Sequence, residues 1–274
     1  MSLQNRTVFI TGSSRGIGEA IALRCAEDGA NVVIAAKTSE PHPSLPGTIH
    51  TVAEEVEKRG GRALAVQVDI RDEDQVQSAV DQTVEAFGGI DVLVNNASAI
   101  FPTNTLNTPM KKFDLMMSCN MRGTYLCSKL CLPHLVKGKN PHILNLSPPL
   151  SYDPKWFKPH VAYTMSKYGM SMCTLGMSEE FRDQGVAVNS LWPKTTIATQ
   201  AIKVFFPFLM DKSRKPSIMA DAAYHIITQD SKTVTGNCFL DEEVLLEQGI
   251  DDFDQYSQTP GQELQTDLFV ESNA

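Results

Sequence analysis

Residues 7–18 read TVFITGSSRGIG, a short apolar run that leads directly into a group of glycines around one arginine. The run predicts a buried strand at 7–11, and the apolar spacing of the next residues predicts a helix that ends near Gly29. Glycines between a first strand and a first helix are typical of a phosphate-binding turn, because the backbone can approach a pyrophosphate and helix N–H groups attract its oxygens. A plain tight turn has the same composition, so the glycines alone do not decide between the two.

Strand-like and helix-like segments alternate along the rest of the chain. Further helices are predicted near 48–59, 72–87, 108–136 and 160–183, and further strands at 30–37, 63–69, 91–96, 142–147, 186–193 and 237–241. The strand segments are continuously apolar, as expected for parallel strands that are covered on both faces. The pattern therefore predicts the α/β class, with a single doubly wound Rossmann-like domain over 1–241 whose parallel sheet of about seven strands is flanked by helices.

The negative charge of the chain is concentrated at its C-terminal end. The formal net charge is −8, and residues 241–274 contain ten acidic side chains and no lysine or arginine. The preceding residues carry 24 basic against 22 acidic side chains, so no nucleic-acid-binding groove is expected. We expect residues 242–274 to form an acidic C-terminal extension that is solvated and partly disordered.

Targeting and metal-binding patterns are missing from the sequence. No uncharged apolar run is long enough to span a membrane, and the N-terminus has no signal region, so we expect a cytoplasmic protein. A peroxisomal or mitochondrial location stays open if the chain is a eukaryotic fragment, although the final SNA is not the peroxisomal tripeptide. The six cysteines form no C-x-x-C pair, so neither a metal site nor a disulfide framework is predicted.

A tyrosine and a lysine stand four residues apart in the stretch AYTMSKYGMSM. On a helix this spacing places Tyr163 and Lys167 on one face. A free tyrosine has a pKa of about 10, and a nearby ammonium group favours the phenolate. Tyr163 is therefore a candidate acid/base that exchanges a proton with a carbonyl or alcohol oxygen. The alternative is a surface tyrosine beside an extended lysine.

The end of the second predicted strand bears on the choice of dinucleotide. An acidic residue there would bind the ribose hydroxyls of NAD, and a basic residue would suit the extra phosphate of NADP. The strand ends in Ala35-Ala36-Lys37-Thr38, and Lys37 and Arg15 are expected at the same edge of the crevice. Two cations without a carboxylate favour NADP(H) over NAD(H), unless both are ordinary surface bases.

These motifs together resemble the short-chain dehydrogenase/reductase family, from about residue 5 to 241. The stretches NLSPPL, WFKPHVAYTMSKYGMSM and LWPKT resemble a narrower branch, the hydroxysteroid-dehydrogenase-like group, which in animals is fused to a sterol-carrier domain. The glycine turn, the basic residues and the matching family positions give a predicted cofactor site of Gly12, Ser13, Ser14, Arg15, Gly16, Ile17, Gly18, Lys37, Asp69, Asn96, Tyr163 and Lys167.

The resemblance also implies individual roles. Asp69 would contact the adenine ring, and Asn95 would brace the sheet while the backbone of Asn96 passes the ribose. Tyr163 and Lys167 would be the catalytic pair, with Lys167 also bound to the nicotinamide ribose. Asn120 would hold a water that links Lys167 to solvent.

Three positions depart from the family pattern. Pro148 occupies the position of the catalytic serine, so the adjacent Ser147 is the candidate, with Ser151 as a rival and simple strand capping as the alternative. Ser98 and Lys194 replace glycines, and the contacts expected from the second glycine would pass to nearby side chains, namely Thr195, Ile197 or Thr199.

The expected function is that of an NADP(H)-dependent oxidoreductase that interconverts an alcohol and a carbonyl on a small or lipid-like apolar substrate. Trp156, Phe157 and the segment 197–215 could line an apolar lid, and the helices near 108–136 and 160–183 would form a homodimer or homotetramer. The alternative is a cofactor-binding regulator or scaffold with the same fold and little catalysis, which the displaced serine and Lys194 would favour.

Overall fold

The computed structural model describes residues 1–43 and 45–271 and contains one sheet of seven parallel strands. The order across the sheet is β3-β2-β1-β4-β5-β6-β7. The strands are β1 Thr7–Thr11, β2 Asn31–Ala36, β3 Arg62–Gln67, β4 Val92–Asn95, β5 His142–Asn145, β6 Ala187–Trp192 and β7 Cys238–Leu240. The predicted doubly wound α/β sheet is confirmed, and its strand order reverses at β1, which lies between β2 and β4.

Helices cover both faces of the sheet. They are α1 Gly16–Ala26, α2 Ile49–Lys58, α3 Glu73–Phe87, α4 Met110–Met116, α5 Gly123–Leu135, α6 Val161–Glu180, α7 Gln200–Phe205, α8 Ser217–Ile227 and α9 Asp241–Glu247. Side chains alternate along each strand between two apolar cores: Val8 and Ile10 pack with α1, α2 and α8, whereas Phe9 packs with α3, α5 and α6. Burial on both faces explains why the strands are continuously apolar in sequence.

The long helix predicted near 108–136 is present but contains a π-helical turn. Residues Met117–Arg122 form this turn between α4 and α5, and the helical path continues without a loop. Such insertions are rare in proteins, and those that occur often lie at functional sites. The turn faces α6, so it places Asn120 beside the helix that carries Tyr163.

The prediction of a partly disordered acidic tail is wrong for the part of it that the structure describes. Val244 and Leu245 of α9 are buried against α8, and Tyr256, Phe269 and Val270 are also buried. The charge of the segment led to the error, because it conceals apolar residues that the core takes up. Residues 272–274, with the terminal SNA, lie outside the described residues, and the domain boundary at 241 stays a prediction.

Candidate functional site

The glycine turn lies at the carboxyl end of β1, where the strand order reverses. Gly12 and Gly16 have φ angles of +66° and +63°, a region that favours glycine. A Cβ on Gly12 would lie 2.7 Å from the Cα of Ala97, so the chain there has no room for a side chain. The turn leads into α1 without a side-chain cap, which leaves N–H groups of the first helical turn available to an anion.

The predicted cofactor residues divide into those that line a cavity and those that support it. The cavity has a volume of about 430 Å³, and the predicted residues that line it are Gly12, Ser14, Arg15, Gly16, Ile17, Lys37, Asp69 and Asn96. Ser13 instead donates its hydroxyl to the Ile10 carbonyl at 2.8 Å, and Gly18 passes close to the Asn96 amide. Asn96 Nδ2 donates to the Thr11 and Gly12 carbonyls at 2.9 and 3.1 Å, which fixes the turn against the end of β4.

Basic side chains surround Asp69 at one end of this cavity. Arg71 donates to both carboxylate oxygens of Asp69, and Lys37 Nζ lies 3.7 Å from one of them. The hydrogen bonds from Arg71 lower the pKa of Asp69 to about 2. Arg15 donates to the backbone carbonyls of Pro46 and Gly47, so the loop after β2 holds its guanidinium. Sequence reasoning missed Arg71, which follows Asp69 by two residues.

Tyr163 and Lys167 lie together on the buried face of α6. Both side chains line a second cavity of about 280 Å³. Lys167 Nζ donates to the Leu146 carbonyl at 2.7 Å and lies 3.5 Å from the Ser98 hydroxyl. Burial lowers the pKa of Lys167 to about 8. Burial, followed by the negative charge of Asp267, raises the pKa of Tyr163. The sequence argument considered only the positive charge beside Tyr163, so it predicted a lowered pKa, which is the opposite direction.

The two predicted asparagines are fully engaged with the protein. Asn95 Nδ2 donates to the Asn145 side-chain oxygen at 2.8 Å and to the Ser128 hydroxyl at 3.1 Å, which ties β4 to β5 and α5. In the π-helical turn, Asn120 accepts from the Ala99 N–H and donates to the Ala99 carbonyl and the Ser166 hydroxyl. Asn120 therefore fixes the loop after β4 to α6. A water-holding role for Asn120 stays a prediction.

Ser147 is buried and is not among the residues that line the Tyr163 cavity, so its role as a substrate ligand stays a prediction. Its side chain has no exposed surface, and its hydroxyl has no hydrogen-bond partner within the described ranges 1–43 and 45–271. The neighbouring Leu146 lines the Tyr163 cavity, whereas neither Ser147 nor Ser151 is among the residues described as lining it. Besides Tyr163, the hydroxyl-bearing residues described as lining it are Ser98, Thr196, Thr199 and Thr266.

Apolar side chains form most of the Tyr163 cavity. The predicted lid contributes Ile202, Phe206 and Leu209, which lie in and beside α7. Trp156 and Phe157 instead pack in an aromatic cluster behind Tyr163, with Trp156 against Phe269 and Phe157 against Tyr168. The cavity therefore suits an apolar molecule whose polar group reaches Tyr163.

The C-terminal segment 265–270, called the closing segment below, completes the wall of this cavity. Its backbone pairs with the loop after β6, through Thr196 N–H to the Gln265 carbonyl and Asp267 N–H to the Lys194 carbonyl. Sequence reasoning missed this segment because it lies in a predominantly polar tail. The apolar run at 268–270 was the available signal, since an isolated group of large apolar residues in a charged segment predicts a docking point.

No cluster of three or more metal-ligating side chains occurs among the residues that the structure describes. Within the same residues, none of the helices is both long and apolar enough to cross a membrane.

Comparisons with known proteins agree with this architecture. The hydroxysteroid dehydrogenase-like protein 2 of Danio rerio is 62% identical over 266 residues, which is 97% of this chain and 64% of that protein, so the chain spans less than two thirds of the length of this relative. A crystal structure of a short chain dehydrogenase homologue from Mycobacterium thermoresistibile covers 99% of this chain and 97% of its own, with 53% identity and a TM-score of 0.93.

Two more distant structures were solved with dinucleotides. A short chain dehydrogenase from Mycobacterium paratuberculosis bound to NAD is 26% identical, and a metagenomic short-chain oxidoreductase in complex with NADP is 27% identical. Each covers 88% of this chain and 97% of its own, with TM-scores of 0.74 and 0.72. The family model described as short chain dehydrogenase matches residues 6–206. This family match, the strand order of the sheet and the residues of the glycine turn all agree. The chain therefore belongs to the short-chain dehydrogenase family.

Proposed function

We propose that the protein is an NADP(H)-dependent oxidoreductase that interconverts an alcohol and a carbonyl on an apolar substrate. The observation that carries the proposal is the continuity of the two cavities. Five residues line both the glycine-turn cavity and the Tyr163 cavity, namely Ile17, Asn96, Ser98, Thr199 and Ala201. A dinucleotide held by the glycine turn would therefore reach the side chains of Tyr163 and Lys167.

The residues around the glycine turn fit a dinucleotide with an additional phosphate. Gly12 provides a close backbone approach, and the uncapped start of α1 provides N–H groups for a pyrophosphate. At the other end of the cavity, Lys37 and Arg71 both pair with Asp69, so this cluster keeps one net positive charge. Lys37 is largely exposed and can turn from Asp69 to a phosphate, whose oxygens form strong charge-assisted hydrogen bonds.

The chemistry that a bound nicotinamide supplies is hydride transfer. In the direction of reduction, the phenol of Tyr163 donates its proton to the substrate oxygen as that oxygen gains negative charge. Burial keeps the phenol protonated, which suits this direction. Lys167, held by the Leu146 carbonyl, keeps a cation near the phenolate that results, and the apolar walls exclude water.

The choice between NADP and NAD is tested by binding titrations with both reduced cofactors. We expect tighter binding of NADPH, and we expect Lys37→Ala to weaken NADPH binding about tenfold while leaving NADH binding unchanged. Lys129→Ala is a matched control, since Lys129 is an exposed lysine paired with Glu73 away from the cavity. Equal affinity of the wild-type protein for NADPH and NADH would refute the assignment.

Catalysis is tested separately from cofactor binding. Tyr163→Phe should abolish the NADPH-dependent reduction of medium-chain aldehydes, ketones and keto-steroids and keep NADPH binding. Retained turnover would exclude Tyr163 as the acid/base. Tight NADPH binding without turnover of any substrate by the wild-type protein would instead favour a cofactor-binding regulator.

A homo-oligomer is part of the proposal. The outer faces of α5 and α6 expose large apolar side chains, with Tyr125 55% and Met172 63% exposed and Leu175 nearby in sequence on the same helix as Met172. Exposed groups of this kind mark protein contacts. Met172→Glu should reduce the mass measured by light scattering, whereas Phe208→Glu, a control at an exposed apolar position outside these helices, should leave it unchanged.

A further inference from the structure

Asp267 is a half-buried residue whose carboxyl lies in the wall of the Tyr163 cavity. Its backbone N–H donates to the Lys194 carbonyl at 3.0 Å, and an antiparallel bridge joins Thr266 to Thr195. These contacts fix the carboxyl relative to β6. The side chain lines the same cavity of about 280 Å³ as Tyr163 and Lys167. Asp267 therefore belongs to the site, although the mechanism above does not use it.

Phe269, the first aromatic residue after Asp267, holds Asp267 in place. The ring of Phe269 lies 6.2 Å from the Tyr163 ring and 5.9 Å from the Trp192 ring, measured between centroids, and it is buried. The indole N–H of Trp192 also donates to the Leu268 carbonyl at 2.8 Å. Two side chains that line the cavity, Tyr163 and Trp192, thus contact the segment that carries the carboxyl, so its position does not depend on an unsupported loop.

Within the described residues, only one of the two oxygens of this carboxyl accepts a hydrogen bond. Oδ1 accepts the N–H of Leu268 at 2.6 Å, and no cation lies within ion-pair distance of either oxygen. Burial, together with the charge of Asp241, raises the pKa of Asp267 to about 7, while the charge of Lys167 opposes this effect. Asp267 is half-buried and lines the cavity, so its second oxygen can accept a hydrogen bond from a molecule bound there.

We propose that Asp267 is a substrate-recognition residue, and that the substrate carries a second hydroxyl which donates a hydrogen bond to this carboxyl. The inference rests on the proposed function and narrows its substrate class to apolar hydroxy ketones and the corresponding diols. A hydroxyl fits better than an ammonium group, because the cavity is apolar and Lys167 already places a cation in the cavity wall.

The arrangement links recognition to proton transfer. The negative charge of Asp267 opposes formation of the Tyr163 phenolate. A hydroxyl that donates to the carboxyl disperses this charge, so a substrate with the second hydroxyl makes proton donation by Tyr163 easier. A substrate without it leaves the carboxyl unsatisfied in an apolar cavity, and such a mismatch discriminates more strongly than a missing methylene group.

Calorimetric binding to the NADPH-loaded protein tests the proposal without turnover, because an alcohol does not react with the reduced cofactor. The titrations are run at pH 8, where the carboxyl of Asp267 is ionised, and the probes are 2-decanol, 2,3-decanediol and 2,4-decanediol. We expect one of the diols to bind about tenfold more tightly than the monoalcohol, as estimated for a hydrogen bond to a charged group. In Asp267→Leu this preference should disappear through weaker binding of the diol.

Two controls separate recognition from folding and from net charge. Glu263→Gln removes an acid that is exposed, close in sequence and not among the residues lining the cavity, so it should keep the preference for the diol. Asp267→Asn keeps an acceptor for the Leu268 N–H, and it should show an intermediate preference even if the leucine variant does not fold.

Three results would overturn the proposal: equal binding of all probes to the wild-type protein, the same diol preference in both Asp267 variants, or a loss of NADPH affinity in these variants that assigns the carboxyl to the cofactor. The titrations are repeated without NADPH, so a failure of cofactor binding, which would refute the proposed function, is distinguishable from a failure of hydroxyl recognition.

Discussion

Replacing Phe269 with alanine tests whether the closing segment is a structural part of the domain. Phe269 is 4% exposed and contacts the rings of Trp156, His160, Tyr163, Tyr168 and Trp192. A buried phenylalanine removes roughly 200 Å² from water, which at about 25 cal/mol/Å² amounts to about 5 kcal/mol. The unfolded chain already buries part of that surface, so we expect Phe269→Ala to lower the free energy of unfolding by about 3 kcal/mol.

The assay is urea unfolding followed by circular dichroism, with the melting temperature as a second measure. A loss of this size should lower the melting temperature by about 10 °C in a protein of this length. Phe208→Ala is the matched control, since Phe208 is 74% exposed, and its effect should stay within about 0.5 kcal/mol. If Phe269→Ala were as stable as this control, and amide exchange at 265–270 were fast in the wild-type protein, the closing segment would not be docked in solution.

Two further predictions follow from single positions. Gly12→Ala places a side chain at a φ of +66° and 2.7 Å from the Cα of Ala97. It should therefore weaken NADPH binding at least about tenfold in a fluorescence titration. Unchanged affinity would show that the turn does not bind the phosphates. The folded protein holds the proton of Asp267 up to a pH of about 7, whereas the unfolded chain releases it near the ordinary aspartate pKa of 3.8, so stability should fall as the pH rises through this window. Asp267→Asn should therefore be more stable than the wild-type protein at pH 8, by up to about 4 kcal/mol, and should lose this advantage near pH 4. The same difference at both pH values in denaturant titrations would contradict the raised pKa of the carboxyl.

Local patterns predicted the sheet and the position of the glycine turn well. The apolar run at 7–11 and the glycines that follow are one continuous stretch, and their structure depends mainly on neighbours in sequence. Lys37 was predicted at the end of the second strand for the same reason, and it lines the cavity. The Tyr163 and Lys167 spacing likewise predicted a shared helix face, because four residues make about one helical turn.

Long-range contacts account for what the sequence did not predict. Arg71 reaches the site through its ion pair with Asp69, and Asp267 through the backbone hydrogen bond of its N–H to Lys194. Neither contact leaves a periodic pattern in the sequence. The burial of Ser147 depends on which way one side chain points after β5. The π-helical turn around Asn120 results from one inserted residue, which helical spacing does not reveal. No element was predicted between 194 and 236, where α8 supplies a large part of one core.

The pairing of residues 194–196 with the closing segment has a consequence for the order in which the molecule acquires its properties. The glycine turn needs only the first half of the sheet, with β1, β2 and β4 in register. The substrate wall also needs the closing segment, which follows all seven strands along the chain and is therefore synthesised after them. A partly folded molecule would therefore be able to take up the dinucleotide before it can retain a substrate, so cofactor binding is an unsafe measure of how much of a preparation has matured.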